Sequence, residues 1–158
     1  MPESLTSRMY RWGFNLFPAY RGTGGRVLYI ASDWREVKIK LPLNWRTRNY
    51  VGTIFGGSIY GAIDPFYMLM LMHILGPGYT VWDKAANIRF RRPGKSVLFA
   101  DFHLSDEEIV EIKNLADGAA SIDRVYNVEL KDRDGVVHAH IEKTLYISKK
   151  TNSREKSV

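Results

Sequence analysis

Between Gly56 and Leu75 the chain carries its longest apolar stretch, opened by a glycine pair and stopped by Gly76-Pro77-Gly78, with Asp64 and Pro65 in its middle. Such a stretch reads as a helix buried on nearly all sides. It is short for a bilayer and is interrupted by Asp64, Pro65 and His73, so no membrane span is expected. A helix that is apolar all round has to be wrapped by other elements. Pro65 has no N–H for the carbonyl of Gly61, and a kink beside Asp64 follows, eased by the missing side chain of Gly61.

Strand patterns surround this helix. Val27 to Ala31 is a run of β-formers, Val37, Ile39 and Leu41 alternate with Glu36, Lys38 and Lys40, and Ser32-Asp33-Trp34 between them predicts a hairpin. Thr80 to Phe90 and Ser96 to Leu104 flank the turn Arg91-Arg92-Pro93-Gly94-Lys95 and predict a second. Ser121 to Leu130 and Val136 to Ile147 flank Lys131-Asp132-Arg133-Asp134-Gly135 and predict a third. Ser105 followed by three acids predicts a short helix or a structured crossover over Asp106 to Leu115. At the N-terminus Leu5, Met9, Trp12 and Leu16 recur at helical spacing, and Pro18 ends that helix. The element order predicts the α+β class, an antiparallel sheet curled about one helix. A doubly wound parallel fold would need strands and helices to alternate. At 158 residues a single domain over residues 1–148 is expected, residues 1–20 being a helical extension and residues 149–158 a polar tail.

Several function classes drop out. The chain has no cysteine, which removes disulfides, thiolate metal sites and cysteine nucleophiles. With no secretory signal pattern at the N-terminus, a cytoplasmic location is expected. Serine-hydrolase and phosphate-loop motifs are absent. His138 and His140 share one strand face, but no carboxylate set completes a ligand shell, so no metal is expected. The net charge of +6 is polarised, with nine Lys/Arg against three acids in residues 1–50 and seven against eleven in residues 101–150. A basic side either attracts phosphate-bearing ligands or simply keeps the protein soluble. No nucleic-acid-binding motif accompanies it, and nucleic acid is not expected as a partner.

The chemistry concentrates in Asn49-Tyr50-Val51-Gly52-Thr53-Ile54-Phe55-Gly56-Gly57 and the helix that follows. Glycines at a helix start leave the first-turn amides unobstructed, for a developing oxyanion or merely for a tight turn. Asp64, an ionisable group inside an apolar helix, must be paired, neutralised or open to a cavity: a structural partner or a general base or nucleophile. Asp64 lies about 10 Å along the axis from Gly57, so one helix cannot aim both at one carbonyl. Cooperation between them requires a second antiparallel helix, and a two-fold dimer would place Asp64 of one subunit near Gly57 of its partner. Arg89, Arg91, Arg92 and Lys95 form a basic set that suits phosphates or a solvated strand edge.

The Asn-x-x-Gly-x-x-x-Gly-Gly segment followed by an Asp within the helix resembles the hot-dog thioesterase superfamily, nearest the acyl-CoA thioesterases of the phenylacetate-degradation type and a related domain-of-unknown-function branch. The element order agrees over residues 20 to 148. The resemblance implies a hot-dog fold, a homodimer or dimer of dimers with composite sites, and hydrolysis of an acyl-CoA thioester with no cofactor beyond the coenzyme A of the substrate. It makes Gly57 the amide donor to the thioester carbonyl, Asn49 the residue that orients water or substrate, and Asp64 the catalytic carboxylate. It places Phe55, Gly56, Asp83, Arg89, Arg91 and Arg92 on the substrate side. Phe55 stands where the family usually has histidine, and it can neither donate a hydrogen bond nor hold a proton. A protein that binds acyl-CoA or a lipid-like ligand without turnover is the alternative. Asp83 occupies the place of a hydroxyl residue that assists the carboxylate in several relatives; it either meets Asp64 or pairs with Lys84.

Overall fold

The computed structural model describes residues 1–150. Helix α1 (Leu5–Leu16) starts at Ser4, whose hydroxyl accepts from the Ser7 amide at 3.0 Å. That helix stops before Pro18, as expected, but Pro18 does not end the helical region. It opens α2 (Pro18–Thr23) at the first position, where its missing N–H has no intrahelical partner to lose.

The first hairpin forms as expected: β1 (Arg26–Ile30) pairs antiparallel with β2 (Glu36–Leu41). Its turn places Trp34 at φ 62°, and the buried indole stacks on His73 at 3.7 Å between ring centres. The apolar stretch becomes α3 (Gly56–Ile63) and α4 (Phe66–Leu75), joined through Asp64 and Pro65. Then follow β3 (Tyr79–Phe90), β4 (Leu98–His103), α5 (Asp106–Gly118), β5 (Ile122–Lys131) and β6 (Val137–Lys149). Ser105 caps α5, accepting from Glu108 N at 3.1 Å. β6 runs two residues past the expected Ile147; residues 151–158 of the expected tail lie outside the described residues.

The six strands form one curved antiparallel sheet in the order β1-β2-β4-β5-β6-β3 around the central helix, the hot-dog arrangement that the resemblance implied. β5 and β6 make the third expected hairpin. The second is a correction: β3 and β4 do not pair. β4 joins β2 and β5, while β3 crosses to the far edge and pairs along β6. The Pro93-Gly94 turn is held by the loop before α3 instead, Ile54 N donating to Gly94 O at 2.9 Å. β4 meets β5 at the single pair Phe99↔Lys131, and the Tyr67 hydroxyl of α4 donates to Asn127 O of β5.

The core lies between helix and sheet. Ile63, Phe66, Met70 and Leu71 of the helix meet Val37, Leu98, Phe102, Leu130, Ile141 and Leu145 of the sheet, all of them excluded from solvent. Each such side chain contributes about 1.5–3 kcal/mol relative to exposure. By length and mean hydropathy (1.3) Gly56–Leu75 passes as a membrane-crossing helix, contrary to the reading of it as too short; half of it is buried in the protein.

Gly61 does more than relieve the proline. A Cβ there would lie 2.8 Å from the Thr23 methyl, so the glycine permits α2 to approach α3. The interrupted helix leaves carbonyls without amide partners, and buried groups supply donors. The Tyr20 hydroxyl donates to Ala62 O at 3.1 Å, and Lys143 Nζ donates to Asp64 O.

Candidate functional site

Asp64 sits at the helix break and Asp83 on the edge strand β3, and Lys143 of β6 brings them together. Its ammonium donates to Asp64 Oδ1 at 2.9 Å and pairs with Asp83 Oδ1 at 2.7 Å. The lysine side chain is 0% exposed, whereas the Asp64 and Asp83 side chains keep 40% and 28% of their surface. One buried cation therefore serves two carboxylates that both reach solvent. It also lies at the C-terminal, electronegative end of α3, and over the Tyr60 ring at 5.8 Å. Burial, then the Asp64 carboxylate, pushes the Tyr60 phenol up.

Lys143 is absent from the expected site residues, yet the sequence carried a signal. Ala139, Ile141, Leu145 and Ile147 occupy the inward positions of β6, and Lys143 falls in the same two-residue phase. A lysine on the apolar face of a strand needs buried partners. The expected alternative pairing of Asp83 with Lys84 does not occur. Lys84 sits where the β3–β6 register shifts, and it pairs with Asp123 at 2.5 Å. The register shift keeps both Asp83 and Ile88 facing inward, opposite Leu145 and Ile141.

Burial raises the Asp83 carboxyl, Lys143 opposes that rise, and Asp64 adds to it. The folded protein thus holds a proton on Asp83 at pH values where the unfolded chain has released it, and stability contributed by this group declines as pH rises from the ordinary carboxylate value through the raised one. Thermal midpoints of the wild type and Asp83→Asn, followed from about pH 4 to 7, should show the wild type losing ground to the variant as pH rises. A constant difference would mean that Asp83 titrates alike in both states.

The helix start lies in a second place. Thr53, Ile54, Gly56 and Phe90 line a cleft of ≈ 360 Å³ with Asn49, Arg91 and Arg92; its lining does not include Gly57, Arg89, Asp64 or Asp83. Asn49 spends its side chain on its own loop, accepting from Thr53 N and donating to Thr53 Oγ1, each at 2.9 Å. The Phe55 ring lies against Gly57 and the Phe90 ring against Gly56, where a Cβ would crowd them. Arg89 parts from its neighbours: it sits opposite His140 on the outer face of the sheet, whereas Phe90, one residue on, points to the opposite face and lines the cleft while staying exposed. Arg91 and Arg92 form no ion pair among the described residues.

The two histidines of β6 have separate structural partners. His138 is buried between Pro93 O (3.1 Å) and Asp132 Oδ2 (3.0 Å), and His140 contacts Asn127 Oδ1 at 3.1 Å. Among the described residues no group of three or more His, Asp or Glu side chains is arranged to hold a metal.

Solved structures with this architecture include a protein of unknown function from Pseudomonas aeruginosa described as a probable thioesterase (18% identity, TM-score 0.80, covering 95% of this chain and 99% of that one). A thioesterase from Haemophilus influenzae is similar at 15% identity and a TM-score of 0.68, covering 97% of each chain. A protein of unknown function from Chlorobaculum tepidum is similar at 14% identity and a TM-score of 0.72, covering 92% of this chain and 95% of that one. These likenesses establish the fold. No curated protein matches the sequence. The profile of a domain of unknown function, DUF4442, matches residues 6–147, and the chain belongs to that family.

Proposed function

We propose that the protein is an acyl-CoA thioesterase working as a homodimer with composite sites, in a reducing cytoplasm. The reading rests chiefly on a solvent-reaching carboxylate, Asp64, in the middle of an apolar helix half buried in the protein, with a buried cation on one of its oxygens. Asp64 takes a proton from water as the hydroxide attacks the thioester carbonyl. First-turn amides at Gly56 and Gly57 of the other protomer receive the oxyanion. The tetrahedral intermediate collapses with cleavage of the C–S bond, and the thiolate of coenzyme A recovers the proton. Arg91 and Arg92 offer charge to the coenzyme phosphates.

The proposed chemistry calls for a second protomer, because Asp64 is not among the residues lining the helix-start cleft of its own chain. β3 has one free edge and exposes Trp82 and Phe90, and Tyr50 and Phe55 are exposed on the loop before α3. A two-fold pairing through that edge would cover these groups.

Phe55 favours a second reading, binding without turnover, since its ring rests on the glycine meant to face the carbonyl. Incubation with aliphatic and aromatic acyl-CoAs, with free thiol followed colorimetrically, separates the two. Thiol release from at least one class is expected; calorimetric binding with no thiol release from any would leave the ligand-binding role alone.

A further inference from the structure

The apolar stripe of α1 does not face the core. Leu5, Met9, Trp12 and Leu16 span about 60° of the helix circumference, and they are 77%, 74%, 60% and 63% exposed. The opposite face fixes this orientation. Ser7 is buried and donates to Ala31 O at 3.2 Å, and Phe14 packs edge-on to Tyr20 and Phe66. Asn15 exchanges hydrogen bonds with the backbone of Val27 at 2.9 and 3.0 Å. With this many internal contacts holding it, the helix presents its stripe outward by construction.

The charge carried by the helical segment itself is basic. Glu3 is the only acid before Asp33, and Arg11 neutralises it at 2.8 Å. Arg8, Arg21 and Arg26 form no ion pair among the described residues. Arg8, exposed, sits between Leu5 and Trp12 in the helical repeat and so flanks the stripe. Leucine, methionine and tryptophan on one line, edged by an arginine unpaired among the described residues, is the kind of composition that lies in the boundary between headgroups and acyl chains. A second copy of the same face would bring like charges together, whereas anionic headgroups complement them.

We propose that α1 is a docking face for an anionic lipid surface, on which the protein lies without crossing it. The inference is independent of the proposed hydrolysis. Full-length protein is sedimented with vesicles of phosphatidylcholine alone and of phosphatidylcholine with about one part in three phosphatidylglycerol, at low and high salt. Pelleting with the anionic vesicles at low salt only is expected. Trp12→Ser should reduce the bound fraction about tenfold, and Arg8→Glu at least about fivefold. Both side chains are exposed, so thermal midpoints should match the wild type. The proposal fails if the anionic vesicles pellet nothing at low salt, or if Trp12→Ser pellets as the wild type does. It fails equally if Trp12→Ser halves the oligomer size on a sizing column with vesicle binding unchanged, which would give the face to a second copy.

Discussion

Lys143→Met is expected to lower the unfolding free energy by about 3 kcal/mol. Removing one partner of a buried ion pair strands the other charges, and here two carboxylates and the Asp64 carbonyl lose the donor they share. The loss falls at the lower end of the usual range because both carboxylates reach water. For a chain of this size that corresponds to a fall of roughly 6–12 °C in thermal midpoint. Neutralising all three groups together, Lys143→Met with Asp64→Asn and Asp83→Asn, should recover most of the loss, since no uncompensated charge remains. Urea unfolding of the single and triple variants checks both statements. A single variant within about 1 kcal/mol of the wild type would show that the lysine is not what holds the helix break.

Asp64→Asn is expected to reduce thioester hydrolysis by about 10²–10⁴-fold while leaving the protein folded. Asparagine keeps an oxygen for the Lys143 ammonium, and Asp83 remains as its ion-pair partner, so packing at the break should survive. What disappears is the group that accepts the proton of water. Turnover of the best acyl-CoA substrate, measured beside the urea midpoint of the same preparation, distinguishes the roles. Activity within about threefold of wild type would make Asp64 a structural counter-ion for Lys143 and leave the chemistry elsewhere.

The parts of the fold written locally were legible. The Asp-Pro pair interrupted the central helix, and Ser32-Asp33-Trp34 and Lys131 to Gly135 closed the hairpins they suggested. The expected β3–β4 hairpin failed because the choice of partner strand is non-local. The turn from Arg91 to Lys95 is a plausible connection, but what it connects is decided by which edge of the sheet still has free hydrogen-bonding groups, and β3 found that edge on β6. Strand parity separates Arg89 from Arg91 and Arg92, a distinction that clustering by sequence distance hides. Lys143 lies 79 residues from Asp64, so charge spacing alone gave no hint of their meeting. Its phase among inward apolar residues did. The stripe on α1 was read correctly as one helical face, but the period of a pattern says nothing about which way that face turns.

Tyr20 gives the N-terminal segment a share in the middle of the molecule. Its hydroxyl occupies a carbonyl two residues before Asp64, and its ring lies edge-on to Phe66, two residues after. The helical extension is thus a keystone at the joint of the central rod, reaching the chain on either side of the seat of the carboxylate.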